Sequence, residues 1–171
     1  MPKFSISTNG LNSTFYSNEA MNNLNTEQIL VSQIIPAMSL TSGRPFLFDV
    51  VFDVSTGLLP PALTIKAKFG SQSATVLNAV SVAASLGTPR RVRIKGSLTT
   101  ISDDNQKEML DLEVRQDASA LALLLGNGVK PFFFDYTVDA TQEQMFQITV
   151  QAAALLNAPT ITVRKAIVGM V

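Results

Sequence analysis

The chain has no cysteine, no histidine and no tryptophan, and only two tyrosines, Tyr16 and Tyr136, among 171 residues. Without cysteine neither disulfides nor thiolate chemistry is available, and redox compartment leaves no mark on the sequence. Without histidine the commonest general base, the serine-hydrolase triad and most zinc sites are gone. The lack of tryptophan and the scarcity of tyrosine weaken any stacking platform for sugars or bases. Charge is scarce as well, at 15% of residues against about 25% in an average soluble domain. Basic and acidic residues number 13 each, without the basic surplus of a nucleic-acid binder, so no strong nucleic-acid binding is expected. No apolar run approaches the roughly 18 residues of a membrane span. The start, MPKFSISTNG, lacks the apolar stretch of a secretory signal. The expectation is a soluble chain made and kept in a cytoplasm. An enzyme would have to be built from Asp, Glu, Lys and Ser, and no catalytic grouping of these is identifiable by spacing. The chain therefore reads as a non-enzyme, with no catalytic, cofactor-binding or metal residue assigned.

What is present is a long series of short alternating segments. Hydrophobic residues make up 46% of the chain, so with so little charge much of its surface must be hidden in a core or against partners. Residues 44–53 place Phe46, Phe48, Val50 and Phe52 on one face and Leu47, Asp49, Val51 and Asp53 on the other. Residues 63–69 alternate Leu63, Ile65, Ala67 and Phe69 with Thr64, Lys66 and Lys68. Residues 90–98 set Val92, Ile94 and Leu98 inward against Arg91, Arg93, Lys95 and Ser97. Residues 109–115 do the same, with Leu110, Leu112 and Val114 against Asp111, Glu113 and Arg115. Residues 28–36, 75–84, 132–138, 145–152 and 160–168 complete the set. STGLLPP (55–61), SDDNQKE (102–108) and GNG (126–128) punctuate it as loops. DASALALLL (117–125) fits a short capped helix and a buried strand equally well.

Eight or nine short strands with no convincing long helix predict an all-β protein: an antiparallel β-sandwich, with eight strands pointing to a single jelly roll. Residues 1–27 are rich in Ser, Thr and Asn, and Lys3 is the only basic residue before Gly43. They read as an N-terminal arm, weighed between a surface tail and an extension lying on a neighbouring subunit, ahead of a sandwich domain at 28–171.

One phrase occurs twice. RPFLFDVVFD (44–53) and KPFFFDYTVD (130–139) share a basic residue, Pro-Phe, a second Phe and two Asp at the same spacing. A cation site made from Asp49, Asp53, Asp135 and Asp139 would need the two strand ends to meet, because Asp at i and i+4 of one strand lie about 13 Å apart. The plainer reading is a strand opening, in which Pro at the first position breaks no ladder bond and the Phe residues fill the core. Phe46 and Phe134 are then core residues. The basic stripe Arg91, Arg93 and Lys95 is expected to be laced by Asp111 and Glu113 of the following strand.

The run IIPAMSLTSGRPFLFDVVFDVSTGLLPPALTIKAKFGS (34–71) resembles small structural proteins of tailed and icosahedral bacteriophages. TPRRVRIKGSLTTIS (88–102) and TQEQMFQITVQAAALLNAPTITVRKAIV (141–168) are similar to the strand and the closing hairpin that follow in that pattern. The resemblance covers most of 28–168 and rests on rhythm rather than on an invariant motif. It implies a jelly-roll virion component of minor capsid, vertex, spike-base, collar or decoration type, assembled in the host cytoplasm. Such a protein works as a homo-oligomer in contact with other virion proteins, needs no cofactor and has no membrane span. Outer-face apolar residues such as Leu47, Val51 and Phe133 would be buried between subunits. The alternative is a receptor- or glycan-binding sandwich of a phage fibre or spike, carried by loops such as 53–62 and 102–108.

Overall fold

The computed structural model describes residues 12–15, 20–22, 24–41, 43–55, 62–81, 89–102, 104, 106–116, 129–153 and 159–170. Among them the structure is all-β, without a helix. The strands are β1 (Asn12–Phe15), β2 (Ala20–Met21), β3 (Gln28–Ile35), β4 (Phe46–Ser55), β5 (Ala62–Phe69), β6 (Gln72–Ser81), β7 (Arg90–Thr100), β8 (Glu108–Gln116), β9 (Val129–Tyr136), β10 (Gln144–Ala153) and β11 (Thr160–Met170). They form two antiparallel sheets. The large sheet runs β1-β11-β4-β7-β8-β9, with β2 also on β11, and the small one runs β3-β10-β5-β6.

The pairing is that of a jelly roll. β1 and β2 lie one after the other along β11, so together they act as one interrupted first strand. The pairs β1/β2 with β11, β3 with β10, β4 with β7 and β5 with β6 are those of one long hairpin wrapped into two sheets. β8 and β9 form an added hairpin that widens the large sheet and takes the sandwich beyond the eight strands expected of it.

The inward faces follow the alternation read from the sequence. Phe46, Phe48, Val50 and Phe52 of β4, Val92, Ile94 and Leu98 of β7, and Leu110, Leu112 and Val114 of β8 are buried against Leu63, Ile65, Ala67 and Phe69 of β5. Phe146 of β10 meets Phe46 edge-on and Phe48 at a tilt, at ring-centroid distances of 5.2 and 5.0 Å, tying the two sheets through aromatic contacts. Tyr136 adds a polar tie, its buried hydroxyl donating to the Ala67 carbonyl at 2.8 Å. The less regular stretch from Thr75 has a mechanical cause. The β5–β6 register shifts around Ile65, which brings the consecutive residues Val76 and Leu77 both into the core.

Two expectations are corrected. Residues 1–27 were expected as an arm outside the sandwich, yet where they are described they belong to it. β1 and β2 extend the large sheet, Met21 and Leu24 are buried, and the Leu24 carbonyl accepts from Ala152 N–H of β10 at 2.8 Å. A strand is held by its backbone, so a Ser/Thr/Asn-rich segment with two apolar anchors suffices. Glu108, placed in the 102–108 loop, is instead the first residue of β8 and points inward, in phase with Leu110, Leu112 and Val114. The ambiguous segment 117–125, the turn at 126–128 and nearly all of the 55–61 loop lie outside the described residues.

Candidate functional surface

The two copies of the doubled phrase lie in the same sheet, with β7 and β8 between them. Three inter-strand steps of about 4.8 Å separate β4 from β9. They also run antiparallel, so Phe46 shares a row with Leu98, Leu110 and Phe134, while Phe48 shares one with Gly96, Leu112 and Phe132. Their strand ends do not meet. Phe46 is fully in the core, but Phe134 is only partly buried because β9 is an edge strand; it packs at 4.9 Å on Tyr136.

The four aspartates go to separate places. Asp49 receives both Nε and a terminal nitrogen of Arg93, at 2.7 and 2.8 Å, and Nζ of Lys165 at 3.1 Å. Asp53 receives Arg91 Nε at 2.9 Å and Arg164 Nε at 2.7 Å, and its side chain is covered by them, with the residue only 6% exposed. Burial alone would raise both carboxyls, but the hydrogen bonds and charges of these cations outweigh it and hold both below the usual range. A bulge in β11 makes the double clasp possible: the register shifts between Val163 and Lys165, so the consecutive residues Arg164 and Lys165 each reach a different aspartate of β4. Asp135 is exposed on β9, and Asp139 sits in the turn after it, accepting from the Thr141 hydroxyl and from Gln106 Nε2. Among the described residues no group of three acidic side chains is placed to hold a metal.

Two of the three residues of the basic stripe, Arg91 and Arg93, are laced, and their partners differ from those read in the sequence; exposed Lys95 makes no ion pair among the described residues. Arg91 and Arg93 turn to the β4 carboxylates rather than to β8. On β8, Glu113 pairs with Arg115 of its own strand at 3.2 Å. Glu27 makes a similar clasp on the small sheet. It takes Lys66 at 3.2 Å, Lys68 and the Thr149 hydroxyl, bridging β10 and β5 from the segment before β3. Burial works against its ionisation, but these hydrogen bonds prevail and lower it to about 2.

The remaining features are apolar or shallow. Seven large hydrophobic side chains stay exposed among the described residues: Ile29, Ile34, Met38, Leu47, Ile101, Phe133 and Met145. Phe133 is 64% exposed on the edge strand β9, and Ile34 and Met145 face each other across β3 and β10. Met38, 60% exposed, has a φ of 59° in a turn closed by Ser39 N–H to the Pro36 carbonyl. A bulky residue in that region costs on the order of 1 kcal/mol or more. An open depression on the small sheet is lined by Asn25, Thr64, Gln151, Ala152 and Ala153, without an aromatic ring.

No family model matches this chain. A search of curated proteins likewise finds no match. Among solved structures the chain is similar to peanut lectin with a nine-residue peptide, at 11% identity and a TM-score of 0.41, covering 98% of this chain and 94% of the lectin. It is similar to the infectious bursal disease virus VP2 subviral particle at 8% identity and a TM-score of 0.44, covering 94% of this chain and 32% of VP2. It is also similar to the CBM2 module of the evolved Dit of Lactobacillus casei BL23 phage J-1, at 12% identity and a TM-score of 0.37, covering 81% of this chain and 68% of that one.

Proposed function

We propose that this protein is a structural component of a virus particle, a capsid, vertex or collar element that acts by self-assembly and by contact with neighbouring virion proteins. The observation that carries the reading is the placement of apolar side chains outside the core. Phe133 and Leu47 stand on the outer face of the large sheet, and Ile34 and Met145 on the small one, with nothing among the described residues covering them. Ile34 and Met145 are cross-strand neighbours, and Leu47 and Phe133 share one row of the large sheet with Ser97 and Asp111 between them. Exposed apolar side chains on both outer faces fit contact sites, and an ordinary interface buries roughly 800 Å² per partner. On the same outer face of the large sheet Asp49, Asp53, Arg91, Arg93, Arg164 and Lys165 are spent on one another, which lowers the net field there. The phage-like rhythm of residues 34–71, 88–102 and 141–168 supports the same reading. The role is non-enzymatic, and the place of work is the particle.

The second reading, a glycan-binding module, has one feature in its favour: the depression lined by Asn25, Thr64 and Gln151 offers amide and hydroxyl groups. It lacks the aromatic face on which sugars stack. Light scattering coupled to size exclusion, across a concentration series, tests the assembly reading, with co-purification on intact particles as its second arm. A concentration-dependent oligomer that Phe133→Ser weakens supports assembly. A strict monomer that binds a glycan array, with Gln151→Ala abolishing binding, would overturn it in favour of the module.

A further inference from the structure

Glu108 is wholly buried at the start of β8, and neither Oε1 nor Oε2 has a hydrogen-bond partner. Its two cross-strand neighbours are Thr100 of β7 and Tyr136 of β9. Both have hydroxyls that could donate, and both are committed elsewhere. Thr100 bonds to the Ser102 and Lys107 carbonyls at 3.2 and 3.3 Å, and Tyr136 to the Ala67 carbonyl at 2.8 Å. The charges that act on Glu108 are Asp139, from the β9–β10 connection, and Asp104, from the β7–β8 connection, both carboxylates. Burial is the largest influence on the group. The Val138 backbone amide opposes it without closing to a hydrogen bond, the two like charges add to it, and the carboxyl is pushed up to about 7. An ionised carboxylate in this position would be desolvated, unpartnered and repelled.

The same place joins two connections. Gln106 N–H bonds to Ser102 Oγ and Gln106 Nε2 to Asp139, while Ile101 N–H closes on the Lys107 carbonyl at 2.8 Å. Met38 N–H bonds to the Ala140 carbonyl at 3.0 Å. The exposed Ile101 is thus held by Lys107, the residue before Glu108, and the exposed Met38 by Ala140, the residue after Asp139.

We infer that Glu108 is a proton-operated latch: with its carboxyl neutral, Ile101, Ser102, Gln106 and Lys107 after β7 and Asp139, Ala140 and Thr141 after β9 stay docked on the end of the sandwich, and ionisation releases them. The latch rests on the burial and unpartnered oxygens of Glu108 and stands whether or not the particle reading holds. The sign follows from linkage. A closed state with a raised pKa binds more protons than an open state with the ordinary value of 4.5, so closure is fully present below pH 4.5 and is lost as pH rises towards 7.

Amide hydrogen exchange on the full chain from pH 5 to 8, corrected for intrinsic rates, reads this directly. Opening at Ile101, Gln106 and Thr141 should rise about five- to sevenfold per pH unit up to pH 7 and then level, roughly 70-fold between pH 5 and pH 8. Amides of Ile94 and Val150, in the strand interiors, should show no comparable change. Glu108→Gln, a neutral replacement of the same shape, should flatten the profile. Glu108→Leu should do the same and serves if the glutamine variant folds poorly. A flat wild-type profile, a slope that survives both substitutions, or a change spread evenly over Ile94 and Val150 would each overturn the latch. Protection restored at pH 8 by calcium alone would also overturn it, by making a metal ion rather than a proton the missing partner.

Discussion

Replacing Gly96 with alanine tests the packing of the large sheet at its tightest point. Gly96 lies on the inner face of β7, in one row with Phe48 of β4 and Leu112 of β8. A Cβ there would stand 2.7 Å from Phe48 Cζ and 2.6 Å from Leu112 Cβ, and closer still to the Asp111 carbonyl oxygen. The phenyl ring could swing, but the other two contacts are with atoms fixed by the sheet, so β7 and β8 would have to separate locally. Overpacking costs about 1–3 kcal/mol, and contact with an immovable backbone atom puts this site near the upper end, about 3 kcal/mol. For a domain of this size that is a fall in melting temperature of about 6–12 °C. Urea and thermal melts followed by circular dichroism measure it, with Gly43→Ala as the control, since nothing lies within 4 Å of a Cβ at Gly43. Adding Phe48→Leu to Gly96→Ala should recover little, because the contacts with β8 remain. A loss below about 1 kcal/mol for Gly96→Ala would show that the β4–β7–β8 register described here is wrong.

Phe46→Ala should cost about 3–5 kcal/mol in the same melts, since Phe46 is buried against Phe48 and Phe146, whereas Phe133→Ser should change stability by less than about 0.5 kcal/mol and act on oligomer size instead. Glu27→Gln should flatten the acid limb of stability: the wild-type carboxyl, held at about 2 against an ordinary 4.5, contributes stability present above pH 4.5 and lost as pH falls towards 2, so a variant with an unchanged acid limb would refute the clasp. Deleting residues 1–27 should abolish cooperative unfolding rather than leave a folded domain, because it removes β1, β2, Leu24 and Glu27 together; a sharp melt in the truncated chain would refute their place in the sandwich.

The alternation of Phe46 to Phe52, of Val92 to Leu98 and of Leu110 to Val114 made the sheet faces legible, because side chains that alternate in a strand have only one way to bury their apolar half. The jelly-roll type followed from strand number and spacing. What the sequence did not disclose depends on register and pairing between distant segments. The Arg91 and Arg93 partners lie on β4, not on the sequence neighbour β8, because which flanking strand supplies a carboxylate is decided by side-chain reach across the sheet and not by chain order. The Arg164-Lys165 clasp needs a bulge, which a run of residues does not announce. Glu108 was missed for the opposite reason: the period-two phase of β8 assigns it to the core, but its charge argued for a loop. Residues 12–27 were misjudged because backbone pairing leaves little trace in composition.

The pairing of the first strand with the last has a consequence for how the chain acquires its structure. Residue 12 lies beside residue 169, and residues 28–35 beside residues 144–150. During synthesis, at about 5–20 residues per second, β1 therefore waits on the order of ten to thirty seconds for its partner to be made. Only the β5–β6 and β7–β8–β9 hairpins can pair with near neighbours in that interval, while the apolar edges of β4 and β3 have nothing to join until β7 and β10, respectively, have been made. Closure belongs to the slow, non-local class of folding reactions, and it begins only after β11 has left the ribosome. The nascent protein is thus exposed to wrong partners for most of its synthesis, and a holding chaperone should raise its yield more than a stabilising substitution in the core.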